Sequence, residues 1–377
     1  MKPYIDQITE PLLMQSYATL FFITFILCLI IILSSEYGFS RRGATDEVAV
    51  QSAHSGFVPR VGGLATFISI LVLIPLLSFG FIPLSIVFDL DPEQLILLVF
   101  SAAVVFFVGL VEDLGYSMSP RTRLTASAFS SLVAILMFGM WIDRLGIPGV
   151  DTLLKFAPFG ILFTIFATSG VVNAFNLIDG LNGLSSYVTI SVALSLSIIA
   201  FDVGNTQISI FLVLFVSAVL GFMVLNFPVG RIFLGDGGAY ALGHLLVWSA
   251  IILINSASEV SPFAVLLVFF WPVADTGLAI WRRWTLGNPA NRPDRLHFHQ
   301  LTMRFLEIRF FGRDRRHIVN PISTVVLIPF ISAPQFLGVI YWNNPEFTKL
   351  CTLFVVTSFV LTYILGIKFA KKSRRPN

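Results

Sequence analysis

The chain has 377 residues, of which 56% are hydrophobic and only 12% charged, with 38 phenylalanines and a net charge of +3. An ordinary soluble domain carries about 25% charged residues, so this composition excludes a water-solvated globule and points to lipid as the natural solvent. The small net charge says little; where the charges fall says much more.

In chain order, apolar stretches long enough to cross a bilayer lie at about 17–35, 63–88, 94–111, 124–142, 159–175, 184–201, 208–226, 239–257, 262–281, 322–341 and 350–369. The first is predicted as a retained helix: Tyr17–Leu33 can span, and Ser34, Ser35 and Glu36 offer no small-x-small cleavage site. Ser, Thr and Gly dilute the fifth and sixth. Pro75 and Pro329 fall inside spans, where neighbouring helices can satisfy the carbonyls they free. No repeat of 20–50 residues and no dividing linker is visible. The expectation is an all-α polytopic bundle of 11 transmembrane helices, a single integral-membrane domain over 1–377 with a cytoplasmic loop at about 282–321.

With eleven spans, alternate loops share a side, and one side holds 20 of the 24 lysines and arginines. The other side holds Lys2, Arg144, Lys155 and Lys349. The positive-inside rule then places the amino terminus outside and the basic tail, "KFAKKSRRPN", in the cytoplasm. That tail reads as a stop-transfer anchor drawn to anionic lipid, not as a nucleic-acid site. Cys28 and Cys351 fall within predicted helices without CxxC or histidine spacing, so they are expected to pack, with neither a disulfide nor a metal site.

Five dense polar clusters share the predicted cytoplasmic face: "HSGFVPRVGG", "VEDLGYSMSPRTR", "NAFNLIDGLNG", "NFPVGRIFLGDGG" and "NPANRPDRLHFHQ". Glu112, Asp113, Asp179 and Asp236 each end an apolar run, where a bare charge is expensive. Four acids so placed call for a cation. Oxygen-only ligation, with no cysteine and the histidines kept apart, points to Mg²⁺ or Mn²⁺ sooner than zinc. Each acid taken singly also reads as a helix N-cap. The glycines around Asp236 would let backbone approach a phosphate closely and present N–H groups to it. Arg292, Arg295, His297 and His299 supply the opposite charge, and the His-x-His pair shares a face if that segment is extended. His244 and His317 are read as structural. Asp275 is an intramembrane acid predicted to pair with Arg282, one heptad later.

Taken together, "NAFNLIDGLNGLSS", "NFPVGRIFLGDGGAYALG", "RPDRLHFHQ", "VGLVEDLGYSMSPRTRL" and "RVGG" resemble the polyprenyl-phosphate N-acetylhexosamine-1-phosphate transferases over about 54 to 300. The resemblance implies transfer of a sugar-1-phosphate from a UDP-N-acetylhexosamine to undecaprenyl phosphate, with release of UMP. The product is a lipid-linked diphosphate sugar that initiates cell-envelope polysaccharide, such as lipopolysaccharide O-antigen. It also implies a site on the cytoplasmic face of the bacterial inner membrane, with the bilayer as partner, no nucleic acid, and a homodimer as a candidate assembly. By position, the acidic pair falls on Glu112 and Asp113, the second acting on the lipid phosphate. Asn176 and Asp179 shape the metal and nucleotide pocket, Asp236 binds Mg²⁺, and Asn226 and Phe233 lie near the nucleotide. His297, with Arg292 or Arg295, grips the sugar phosphate, and His299 completes the histidine motif. Glu112 stands where the family usually has Asp, and Asn182 where the muramyl-pentapeptide branch has Asp. The run Asp-Arg-x-His-x-His looks like the N-acetylglucosamine branch.

The acceptor is a phosphate monoester with a second pKa of about 6, mostly dianionic at neutral pH, so a strong general base is not required. Direct attack by the lipid phosphate is therefore expected over a covalent aspartyl intermediate, which stays the alternative. The competing functions are the muramyl-pentapeptide phosphotransferase and a non-enzymatic lipid or nucleotide-sugar transporter. A transporter would place its site near the midplane, whereas these acids gather at one interface.

Overall fold

The computed structural model describes residues 2–36, 58–78, 92–285 and 297–372. Among them are α1 (Lys2–Glu36), α2 (Gly62–Ser78), α3 (Pro92–Asp113), α4 (Pro120–Phe138), α5 (Val150–Leu154), α6 (Ala157–Leu177) and α7 (Leu184–Asp202). They continue with α8 (Thr206–Asn226), α9 (Gly235–Ser256), α10 (Pro262–Val268), α11 (Phe270–Thr285), α12 (Phe298–Leu306), α13 (Arg316–Ile340) and α14 (Pro345–Lys372). The described residues contain no strand. Eight of these helices are long and apolar enough to cross a membrane. The protein is an all-α, multi-pass membrane bundle.

Where the eleven predicted segments are described, each contains a helix, although that of 124–142 ends at Phe138. α2 is described to Ser78, and the remainder of the segment predicted to reach 88 lies outside the described residues. The short α5 is an addition that apolar length does not signal. One expectation needs correction. The ninth segment is not one straight span: α10 and α11 meet at a bend of 80°. Pro272 explains it. The third residue of α11 has no N–H, and its ring crowds the carbonyl of Val268 four residues back. That carbonyl instead accepts a hydrogen bond from Gln335 Nε2 of α13 at 3.3 Å. The loop expected at 282–321 connects α11 to α13. Where it is described it is mostly helical, because α11 runs to Thr285, α12 covers 298–306, a π-helical turn covers Glu307–Phe311, and α13 begins at Arg316.

The centre of the bundle is α9, apolar all round, as a helix enclosed on every side must be. It packs against α2, α3, α6 and α7. Small residues set the spacing, since a Cβ on Gly237 would lie 2.8 Å from the Leu110 nitrogen and 3.0 Å from the Phe106 carbonyl. α3 and α9 can touch there only backbone to backbone. Deeper in α9, His244 is fully buried, its Nε2 3.0 Å from Ser101 Oγ and its Nδ1 3.3 Å from Ser130 Oγ. Both ring nitrogens are spent on neighbouring helices, which fits the structural role expected of it. Arg144 closes the carboxyl end of α9, donating to the carbonyls of Ile254, Ala257 and Val260 at 2.9–3.0 Å. A cation at a helix C-terminus also suits the dipole. The opposite end of α9 carries the acids.

Candidate active site

The first turn of α9 reads Gly235-Asp236-Gly237-Gly238, and a helix N-terminus leaves its first N–H groups without helical partners. The N–H groups of Asp236 and Gly237 donate to the two oxygens of Asp113 at 2.8 and 2.9 Å. That of Gly235 faces the Asp179 carboxylate. The N–H groups expected to face a phosphate are therefore taken by two side chains of the protein itself. Gly235 has to be glycine: its φ is +79°, and a Cβ there would lie 2.6 Å from Asp113 Oδ2. The glycines serve close helix packing and a left-handed turn, a correction to the phosphate-cradle reading.

Asp236 itself points away from its own helix. Its Oδ1 accepts from Asn176 Nδ2 at 2.7 Å and lies 3.8 Å from Arg60 Nη2. The Glu112 carboxylate, at the end of α3, faces Asp236 within hydrogen-bonding reach. Glu112 also pairs with Arg123 in the first turns of α4, a helix started by the Ser119 hydroxyl, which accepts from Thr122 N. Arg123 also lies beside the buried Tyr240, whose hydroxyl faces it. Glu112 Oε2 is buried with no hydrogen-bond partner. Two facing carboxylates and an orphaned buried oxygen form a donor set that fits Mg²⁺, a hard cation taking oxygen ligands.

Asp179 is the fourth acid. Ser185 Oγ donates to it at 2.6 Å. Burial pushes its carboxyl up from the usual range to about 6, while the Ser185 bond works the other way. The loop that carries it, 178–183, meets the histidines: a Cβ on Gly180 would lie 2.9 Å from His299 Nε2. His297 is the extended N-cap of α12, and His299 lies in its first turn. Their rings stack with centroids 5.5 Å apart. The pair does share a face, through a turn at the helix start and not a continuous strand.

One assignment changes. Asp275 does not pair with Arg282. Its Oδ2 lies 2.9 Å from His299 Nδ1, its Oδ1 is 3.5 Å from His297 Nδ1, and Phe298 N donates to Oδ1 at 2.8 Å. Arg282 instead reaches Tyr363 OH at 2.5 Å. Heptad spacing puts Asp275 and Arg282 two turns apart on α11, but each is taken by a nearer partner from another element. Asn226 spends its side chain within the protein. Its Oδ1 accepts from Gly183 N at 2.7 Å and its Nδ2 donates to Ile232 O at 2.8 Å, with the residue 3% exposed. Its amide braces the loop bearing Asp179 against the one bearing Asp236. Phe233 contributes backbone, its N–H to Pro59 O and its carbonyl to Gly62 N, both at 2.9 Å. Arg292 and Arg295 lie outside the described residues.

The structure thus brings Glu112, Asp113, Asn176, Asp179 and Asp236 to one end of α9, with His297 and His299 against the Asp179 loop. Sequence reasoning passed over Arg60, Arg123, Tyr240 and the role of Asp275. Arg60 and Arg123 sit in motifs already singled out, "RVGG" and "SMSPRTR". Tyr240 carries a signal too, one turn after Asp236 on the same helix face.

A family model described as glycosyl transferase family 4 matches residues 95–254. The undecaprenyl-phosphate alpha-N-acetylglucosaminyl 1-phosphate transferase of Salmonella typhimurium is 30% identical over 271 residues, 70% of each chain. The protein of the same name from Escherichia coli K12 is 28% identical over 268 residues, again 70% of each. The matched region carries Glu112, Asp113, Asn176, Asp179 and Asp236. The chain belongs to glycosyl transferase family 4.

Proposed function

We propose that the protein transfers N-acetylglucosamine-1-phosphate from a UDP-sugar to undecaprenyl phosphate, releasing UMP and leaving a lipid-linked diphosphate sugar. The observation that carries this reading is the facing pair of Glu112 and Asp236, with a buried unpaired oxygen on Glu112, between Arg60 and Arg123. Relatives whose names state this transfer support the donor sugar and the acceptor.

Asp236 and Glu112 would hold Mg²⁺ (Mn²⁺ as a substitute), which when bound supplies charge neutralisation for the diphosphate and an activated leaving group. The protein's own residues do the rest. Asn176 fixes the Asp236 carboxylate through its 2.7 Å hydrogen bond. Asp113 locks the first turn of α9, so that Asp236 cannot drift. Arg60, half exposed beside Asp236, is placed to meet an incoming phosphate, and a guanidinium fork suits its oxygens. His297 and His299 approach from the Asp179 side, as partners for the sugar phosphate. Because both oxygens of Asp113 already accept backbone N–H groups, it is poorly free to act as a covalent nucleophile. Direct in-line attack by the lipid phosphate is the step this geometry favours.

The acceptor's chain needs an apolar path. A cavity of about 310 Å³ lies between α6, α9 and the α10–α11 bend, lined by Phe163, Ala167, Val171, Val247, Phe269 and Val273. Its lining follows the carboxyl half of α9 from Val247 to Ile254, and on α6 it reaches Val171, on the same helix as Asn176. In our reading the amino terminus is outside and the site faces the cytoplasm of a bacterial inner membrane, where nucleotide sugars are made. A panel of radiolabelled UDP-sugars with undecaprenyl phosphate tests the proposal on purified protein. The expected result is UMP release and labelled lipid from UDP-N-acetylglucosamine; labelled lipid from UDP-muramyl-pentapeptide alone would overturn it.

A further inference from the structure

Asp275 lies on the far side of the bend in the ninth span, remote from the acids in sequence, and it is 1% exposed. An ionised carboxylate buried in a membrane bundle is costly unless its lone pairs are used. Here they are used on one short segment. Oδ1 accepts the Phe298 N–H at 2.8 Å and faces His297 Nδ1 at 3.5 Å, while Oδ2 faces His299 Nδ1 at 2.9 Å. A carboxylate has no proton to give, so Nδ1 of His299 must be the donor. Its other nitrogen, Nε2, is then bare, buried and without a hydrogen-bond partner. That nitrogen is directed at Gly180 in the loop that carries Asp179, where any side chain would collide with it.

The structure assigns Asp275 as the positioning residue that fixes the tautomer and orientation of His299, and the placement of His297, so that their Nε2 atoms are presented to the donor's sugar phosphate. The assignment rests on the transferase reading above. His299 Nε2, unpaired in the protein, becomes an acceptor that only a proton carried by the donor's phosphate can satisfy. A buried carboxylate behind an imidazole also stabilises the charged ring that forms when a phosphate draws a proton to Nε2. Ligand-type atoms of Asp275, His297 and His299 lie within 4.8 Å of one another, so a metal centre is the rival reading.

The test uses the full chain in detergent with ¹⁵N-labelled imidazoles, five in all, assigned through single His→Gln variants. In the native protein His299 should show the Nδ1–H tautomer. Asp275→Asn should flip it, for a geometric reason: the Asn oxygen must take the place of Oδ1 to accept the Phe298 N–H, which turns its NH₂ toward His299 Nδ1. His299 then becomes Nε2–H, while His297, which faces Oδ1, keeps its tautomer. Turnover with UDP-N-acetylglucosamine and undecaprenyl phosphate should fall by about 10–100-fold, the usual effect of losing such a supporting group. Adding His299→Gln to Asp275→Asn should cost little more, because the two act as a unit. An Nε2–H tautomer for His299 in the native protein overturns the assignment, and so does Asp275→Asn at near-native turnover. Stoichiometric zinc in the purified protein, lost on Asp275→Asn, would make the triad a metal centre and overturn it as well. The native tautomer decides even if Asp275→Asn does not fold. Absence of UMP release from native protein would defeat the transferase reading while leaving the tautomer readout intact.

Discussion

Asp113 and Asp236 are neighbours in space and opposite in role, which mutation can separate. Asp236→Asn keeps the size and the contact with Asn176 but removes charge from the facing carboxylate pair. Stabilisation of developing phosphoryl charge is worth several kcal/mol, so UMP release should fall about a thousandfold, with folding intact and little recovery on raising Mg²⁺. Asp113→Asn should lose activity and stability together. Its new NH₂ would face one of the two backbone N–H groups that Asp113 now satisfies, and a buried donor without an acceptor costs about 1–3 kcal/mol. A lowered unfolding temperature in detergent, absent in Asp236→Asn, is the distinguishing observation. At this scale the sequence is legible where chemistry depends on residue type and local motif: the acids, Asn176 and the histidines are all visible in it. What it hides are partners. Asn226 with Gly183 and Asp275 with His299 are pairs 43 and 24 residues apart, and no periodicity links them.

The elements are legible from apolar length, because a backbone in lipid must satisfy its own hydrogen bonds and the helix does so locally. The bend is not, although Pro272 stands in the sequence, since a proline inside a span can be absorbed straight or kinked according to what its freed carbonyl finds. Here Val268 O finds Gln335. The glycines of α9 are conspicuous in the sequence, but their part in close packing shows only once the facing helix is known. Gly237→Ala tests that packing. Its Cβ would meet the backbone of Leu110 and Phe106 at 2.8–3.0 Å, and neither can yield without moving α3. α3 carries Glu112 and Asp113, and misplacement of a reacting group by about 1 Å can cost about a hundredfold. A loss of that order in turnover is expected, together with a lower unfolding temperature; native activity in Gly237→Ala would mean α3 and α9 need not be in contact.

For the whole molecule, the charge bias of 20 to 4 makes a topological prediction. A cysteine at Asn205, between α7 and α8, should react with an impermeant reagent from outside the cell, and one at Ser373 should not. Cys28 and Cys351 are buried and should stay silent. The reverse pattern would place the acids on the wrong side for a cytoplasmic nucleotide sugar. The arrangement of the bundle gives that sidedness a mechanical basis. The central helix is held at its carboxyl end by Arg144 and at its amino end by Asp113, so that Glu112, Asp113, Asp179 and Asp236 are gathered at one end of it. That convergence is the account's central claim, and metal dependence tests it most directly. Purified protein given UDP-N-acetylglucosamine and undecaprenyl phosphate should stop releasing UMP when a chelator is added and resume with Mg²⁺ or Mn²⁺. Full turnover in excess chelator would contradict the assignment of Glu112 and Asp236.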